Sequence, residues 1–289
     1  MKSISKLRFH LAHKFRNWIP EKTFLQAHCS YYLGYNVNLD NPQTFNEKLN
    51  WLKLHDHNPI YSKMVDKYEV KRIVEEKIGK EYVVPCLGVW NNYEDIPFDN
   101  LPNQFVLKPT HQSGVCVCKD KSSFDFKAAK RKIDSDVNRN YYNIHGEWAY
   151  KNTPPRVLAD KYLDDKTGNE LRDFKFWCFN GTPKVMYMTI KGKNIYENFY
   201  DMEFNSIDIN HGFPRHTPEF EKPLLFDKMK ELAVILSDGI PFVRVDFFCV
   251  GGQIYFGEYT FYDWAGIHPF VSYEQDLKIG SWLTLPKMV

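Results

Sequence analysis

The sequence predicts an α+β chain, and three observations carry that prediction. Through residues 1–80, apolar side chains recur at helical spacing between recognisable helix start and stop signals. From Tyr82 onward the pattern changes to short β-branched and aromatic runs separated by turn signals, with helical stretches between them. Near the end, FVRVDFFCVGGQIYFGEYTFY (residues 242–262) reads as a β-hairpin turning at Gly251-Gly252, its apolar pattern interrupted by Arg244, Asp246 and Glu258.

The first element is an amphipathic helix over 2–19. Ile4, Leu7, Leu11, Phe15 and Trp18 fall on one stripe, Lys2, Lys6, His10, His13 and Arg16 lie opposite, and Pro20 ends it. Such a helix suits an anionic lipid surface, and equally suits docking on its own domain; docking is the preferred reading. A second helix runs over 22–33 to Gly34. In NPQTFNEKLNWLKLHD, Thr44 followed by Glu47 forms a capping box. Asn58-Pro59 starts one further helix, closed by Gly79, which puts Lys67 in mid-helix. Strands are expected at 82–85, 88–90, 104–108 and 115–119, then a helix at 123–138. Strands at 157–163, 173–179 and 184–190 and a helix at 224–236 lead to the hairpin.

At 289 residues the chain allows one large domain or two small ones. Its 43% hydrophobic and 26% charged content is that of a soluble globular protein. Aromatic content of 16% suits sugar stacking, but most aromatics fill cores. A net charge of +2 argues against a nucleic-acid partner, although residues 1–22 hold six basic side chains against Glu21, locally +5. Six cysteines without a CxxC pair, and no apolar run of spanning length, read as a reduced, cytosolic chain. A peripheral seat on the inner membrane face is left open to the basic N-terminal helix.

Register decides what the hairpin can do. Arg244, Asp246 and Phe248 share one strand face; Phe256, Glu258 and Thr260 share one on the return strand. With a three-residue loop, Gly251-Gly252-Gln253, Asp246 faces Glu258 and Arg244 faces Thr260. A two-residue loop would separate the acids. Facing carboxylates repel unless a cation sits between them, and hard oxygens suit Mg²⁺. The competing reading, a surface Arg244–Asp246 pair with Glu258 solvated, stands level with it on the hairpin alone.

FVLKPTHQSGVCV is the second informative stretch: a strand ending in Lys108, a loop through Ser113 and Gly114, and a new strand. Small residues let backbone N–H groups approach an anion, and the lysine supplies charge, which suits a phosphate lid. In order, MVDKYEVK, YVVPCLGVW, FVLKPTHQSG, VLADKYL, RDFKF and RVDFF…GEYT resemble the ATP-grasp superfamily from about Tyr61 to Leu285. Within it, TFNEKLNWLKLHD, DFKFWCFNG, PFVRVDFF and FGEYTFY look like the TupA-like branch, named for teichuronopeptide biosynthesis and found among bacterial surface-polysaccharide proteins.

The resemblance implies an ATP-grasp fold, two α+β subdomains clasping ATP. Residues 1–60 would be a helical cap and 61–289 the ATP-grasp module, divided into 61–160 and 161–289. It implies ATP contacts from Lys67 and Lys108, a mobile loop at Ser113 and Gly114, and an adenine hinge at Asp160, Lys161, Tyr162 and Leu163. Asp160 stands where the family often has Glu. Asp164 and Asp165 suit a ribose contact or a turn cap. Lys175 suits a terminal phosphate or a pair with Asp173. Asp246 and Glu258 match the metal-binding acids and Arg244 the arginine that steadies the transferred phosphoryl group. Thr260 stands where a third metal ligand is commonly Asn, which puts full two-metal coordination in doubt.

Such enzymes phosphorylate a carboxylate and let an amine attack the acyl-phosphate. The resemblance therefore implies an ATP- and Mg²⁺-dependent ligase acting on a surface glycan, joining an amino acid to a uronic acid. With only about sixty residues ahead of the module, acceptor recognition falls to the cap and to YDWAGIHPF, through Trp264, Gly266 and His268. Three rivals stand against it: a glycosyltransferase using Asp134-Ser135-Asp136, a glycan kinase using the same ATP site, and a silent scaffold.

Overall fold

The computed structural model describes residues 2–164, 171–191 and 194–287. Helices α1 (Lys2–Lys14) and α2 (Glu21–Leu33) pack together at the N-terminus, over a small core that includes Phe24, Leu25 and Cys29. α3 (Phe45–His55) begins at the expected capping box, the Thr44 hydroxyl accepting from Glu47 N at 3.1 Å and the Glu47 carboxylate from Thr44 N at 3.2 Å. α3 belongs to the main core: Phe45 lies 4.9 Å from Phe242 and 5.3 Å from Trp177, ring to ring.

The single helix expected up to Gly79 is two, α4 (Ile60–Val65) and α5 (Glu69–Ile78). Asp66 parts them, its Oδ1 accepting from the backbone N–H groups of Tyr68 (2.8 Å) and Glu69 (3.1 Å) at the start of α5. Lys67 therefore sits in a break, its own N–H bonded to Thr110 O at 2.8 Å.

Two antiparallel sheets follow. The smaller comprises β1 (Cys86–Trp90), β2 (Phe105–Pro109), β3 (Cys116–Cys118) and β4 (Val157–Lys161) in the order β1-β4-β2-β3. α6 (Phe126–Val137) covers it over Phe105, Leu107, Ala159 and Ile133, and α7 (Tyr141–His145) follows. The larger comprises β5 (Asp173–Phe179), β6 (Thr182–Lys191), β7 (Ile195–Tyr200), β8 (Phe242–Val250) and β9 (Gln253–Thr260) in the order β7-β6-β5-β8-β9. α8 (Phe226–Ser237) packs on the face of Phe176 and Cys178, while α3 packs on the alternate face, that of Trp177. α9 (Tyr273–Gly280) lies beside α3, and its buried Asp276 accepts from Asn46 N at 3.0 Å, reinforcing the α3 start.

Residues 82–85 form no strand; a short 3₁₀ turn at Lys80–Tyr82 leads into β1 instead. β7 was not expected, because its centre is polar. Both polar residues are buried with partners: Glu197 takes His211 Nδ1 at 3.0 Å, and Asn198 donates to His216 O at 3.2 Å.

The N-terminal helix docks, but through the face opposite the expected one. Phe9 stacks on Tyr31 at 4.3 Å, Ala12 is buried, and His13 bonds His28, while the Ile4, Leu7, Leu11, Phe15 and Trp18 stripe faces solvent. His28 is the middle of a chain, 2.9 Å from His13 and 3.1 Å from His145, ring nitrogen to ring nitrogen. Burial, with Lys53 and His145 nearby, pushes its pKa down to about 2. An imidazole held neutral contributes fully above its ordinary 6.5 and loses that contribution as pH falls below it. Urea unfolding at pH 7 and 5 should therefore show a loss of about 2 kcal/mol attributable to His28. His28→Phe should lose correspondingly less between the two pH values; an unchanged difference would remove His28 from the acid sensitivity.

Candidate active site

The site face is set by strand pairing. β5 and β8 pair Lys175 with Asp246 and Trp177 with Arg244, so these four side chains share the face on which α3 packs. The β8–β9 connection differs from expectation: Val250 pairs with Gln253, leaving a two-residue loop, Gly251-Gly252, with φ of 59° and 79°. That loop alone would send Glu258 to the other face. A bulge in β9 reverses this. Val245 pairs with Tyr259 but Phe247 with Phe256, so Gly257 and Glu258 together oppose Asp246. Arg244 faces Thr260, as expected. Gly257 suits the bulge because a Cβ there would come within 3.1 Å of both Asp246 O and the Phe248 ring.

Arg244 is the hub. Its Nε and Nη2 fork onto the Asp246 carboxylate at 2.7 and 2.8 Å, and Nη2 also donates to Glu258 Oε1 at 3.0 Å. Its Nη1 donates to Asp263 Oδ1 at 2.5 Å and to Tyr187 OH at 3.3 Å. Asp263 is buried and also accepts from Trp177 Nε1 at 3.0 Å. Lys67 lies 3.4 Å from the other Glu258 oxygen, and Thr260 Oγ1 lies 3.4 Å from Oε1. Burial pushes the Asp246 carboxyl up to about 6, against the pull of Arg244 and Lys175. Burial acts the same way on Glu258, but Lys67 and Arg244 outweigh it and hold that group at about 2. Lys175 pairs with Asp173 at 2.9 Å while lying across the strands from Asp246.

A second cationic centre faces the first across a cleft. Lys108 of β2 is 3.1 Å from Asp160 of β4, and Lys71 of α5 is 2.9 Å from the other Asp160 oxygen. Lys67, Lys71, Lys108, Asp160, Phe248 and Gly257 all line this cleft, whose cavity is about 20 Å³. That is close to the room one water needs. Lys161 N–H donates to Pro85 O at 2.9 Å, and Tyr162 and Leu163 follow the strand end. The β2–β3 loop is anchored at its base, where the His111 and Gln112 side chains donate to Arg139 O at 3.0 and 2.9 Å. Farther along, the Ser113 hydroxyl is 3.0 Å from Tyr141 OH and Gly114 lies against Asp136.

The structure thus brings together Lys67, Lys175, Arg244, Asp246, Glu258 and Thr260, with Lys108 and Asp160 across the cleft. Asp165 lies outside the described residues. Asp134 and Asp136 are engaged with Lys130 and Lys132 along α6, as a solvated helix face. Trp264 and His268 stack on each other at 4.7 Å, and Gly266 O accepts from Asn50 Nδ2 at 2.7 Å. Two residues escaped the sequence reading. Lys71 stands four residues after Lys67, in the first turn of α5 and within MVDKYEVK, and Asp263 directly follows FGEYTFY.

The donor set fits a hard cation. Asp246 and Glu258 present carboxylate oxygens on one face beside the Thr260 hydroxyl, and Mg²⁺ commonly takes one or two carboxylates with waters and phosphate oxygens. Among the described residues no group of three or more His, Cys, Asp or Glu side chains offers an all-protein cage. Asp263→Ala should lower unfolding free energy by about 3–5 kcal/mol, because it strands part of a buried guanidinium and the Trp177 N–H. Denaturant titration checks this; a loss under 1 kcal/mol would show that Asp263 is not integral to the Arg244 cluster.

Nothing among the curated proteins matches the chain. Among solved structures it is similar to D-alanine–D-alanine ligase from Bacillus anthracis complexed with ATP, at 15% identity and TM-score 0.41 over 75% of this chain and 63% of that one. It is similar to L-amino acid ligase from Bacillus licheniformis at 14% identity and TM-score 0.42, over 71% of this chain and 44% of that one. A third similar structure is the ATP-grasp ligase PsnB with a phosphomimetic precursor variant, Mg and ADP, at 12% identity and TM-score 0.41, over 86% and 65%. The chain spans less than two thirds of the length of each of these ligases. The model of the TupA-like ATP-grasp family matches residues 47–284, most of the chain, and the chain belongs to that family.

Proposed function

We propose that this protein is an ATP- and Mg²⁺-dependent carboxylate–amine ligase of bacterial surface-polysaccharide biosynthesis. It acts through an acyl-phosphate and joins an amino acid to a uronic acid. The observation that supports it most is the convergence of Lys67, Arg244, Asp246 and Glu258 on one sheet face, with Lys108 opposite.

Bound ATP would supply the activated phosphoryl group, and Mg²⁺ held by Asp246 and Glu258 would neutralise its charge. Lys108 and Lys67 bind the phosphates by leaving their present partners, Asp160 and Glu258. Lys71 keeps Asp160 compensated when Lys108 turns away, so the exchange strands no buried acid. Arg244 is held by Asp263 and Tyr187 on its far side and is pre-positioned toward the transferred group. Trp264 and His268 border the acceptor region. No side-chain nucleophile is needed, because the substrate carboxylate attacks the γ-phosphorus of ATP and expels ADP, and the amine then attacks the acyl carbon, expels phosphate and loses a proton to solvent.

The test is ADP and phosphate release with ATP, Mg²⁺, uronic-acid glycans and amino acids. Release that requires both partners and forms an amide is expected. A phosphorylated glycan formed without amine would overturn the ligase reading in favour of a kinase. Lys108→Ala should weaken nucleotide binding by about tenfold or more in calorimetric titration while leaving the fold intact. Glu258→Gln should keep nucleotide binding but lower turnover by roughly a hundredfold or more, several kcal/mol of lost charge neutralisation. Near-normal turnover would remove Glu258 from the metal site.

A further inference from the structure

Helix α1 is held by one face and shows solvent another. Phe9, Ala12 and His13 meet α2, so the apolar stripe is not what attaches the helix. Along that stripe Ile4, Leu7 and Leu11 are 61%, 59% and 47% exposed, and Phe15 and Trp18 beyond the helix are 44% and 87% exposed. Contiguous apolar exposure of this kind marks an interaction surface. At 3.6 residues per turn, Arg8 and Lys14 project about 60° to either side of the stripe. Both are exposed, and residues 1–20 contain five basic side chains and no acid.

This charge frame selects the occupant. Apolar groups between two basic margins match the layering of an anionic bilayer surface, with acyl chains below and phosphates at the level of the flanking cations. Trp18 is the residue type enriched at such interfaces. No helix among the described residues is long and apolar enough to cross a membrane, so the contact is one of lying on the surface. We propose that α1 and its Phe15–Trp18 extension dock the protein on an anionic lipid surface, with the stripe inserted and Arg8 and Lys14 on lipid phosphates. This proposal is independent of the ligase reading.

The experiment is co-sedimentation of the full chain with phosphatidylglycerol-containing vesicles and with pure phosphatidylcholine vesicles. Retention on the anionic vesicles, weakened by salt, is expected. Arg8→Glu with Lys14→Glu should reduce it by about tenfold or more, since each basic residue near such a surface contributes several-fold. Leu7→Ser with Leu11→Ser should reduce it comparably, whereas Leu224→Ser, at an exposed leucine far along the chain, should not. Circular dichroism of each variant separates loss of docking from loss of fold. Equal retention on both vesicle types, no retention on either, or retention unaffected by the α1 substitutions would overturn the proposal. So would light scattering that shows a dimer broken by the leucine pair without any vesicle binding, because a second copy would then be what covers the stripe.

Discussion

One buried guanidinium organises the larger sheet. Arg244 touches Asp246, Glu258, Asp263 and Tyr187, which come from two strands of a hairpin, the segment after it, and β6. Taking that many acids out of water is unfavourable unless each finds a positive partner, and a planar fork with five N–H donors serves several at once. The arrangement works at both levels. It fastens the segment after β9 to the Trp177 face, and it leaves two carboxylates side by side whose charges are compensated but exchangeable.

The hairpin shows where sequence reasoning succeeds and where it stops. That Arg244, Asp246 and Glu258 share a face was legible from the pairing of charge types with strand periodicity. Of the two routes to it, an odd-length loop or a bulge near the glycines, the chain takes the bulge. Gly251-Gly252 makes a two-residue turn, and parity is restored six residues later by the bulge at Gly257 and Glu258. An isolated glycine inside a strand pattern is the usual mark of a bulge, so YFGEYT carried the signal. Lys67 offers a parallel case. Helical periodicity runs through MVDKYEVK, yet the Asp66 side chain captures the free N–H groups of the next turn and ends the helix there. Such local side-chain competition is invisible to a hydrophobic pattern. In α1 the pattern identified the helix but not its docked face, because Phe9 and His13 outweigh a longer apolar stripe once an aromatic and histidine cluster is available on α2.

The two cationic centres are coupled by what they lack when the cleft is closed. Lys67 and Lys108 each spend their charge on an acid of the protein, Glu258 on the large sheet and Asp160 on the small one. On the proposed reading, a polyanion entering between the sheets would compete for both lysines at once. The released acids remain compensated, Glu258 by Arg244 and Asp160 by Lys71. Both acids would thus keep a cationic partner after such an exchange.

α3 links this electrostatic core to the turn that carries Trp264 and Ala265. Trp264 and Ala265 adopt φ of 47° and 53°, a conformation that costs side-chain-bearing residues roughly 1–2 kcal/mol each. Two side chains of α3 hold the turn in place: Lys53 donates to Ala265 O at 2.7 Å and Asn50 to Gly266 O at 2.7 Å. Lys53 is fully buried and has no role as a surface charge; its second bond, to His145 O at 3.0 Å, ties the same helix to the C-terminal end of α7. The family match begins at residue 47, inside α3 and not after it. The strained turn that the helix supports aims Asp263 inward at Arg244 and leaves Trp264 partly exposed.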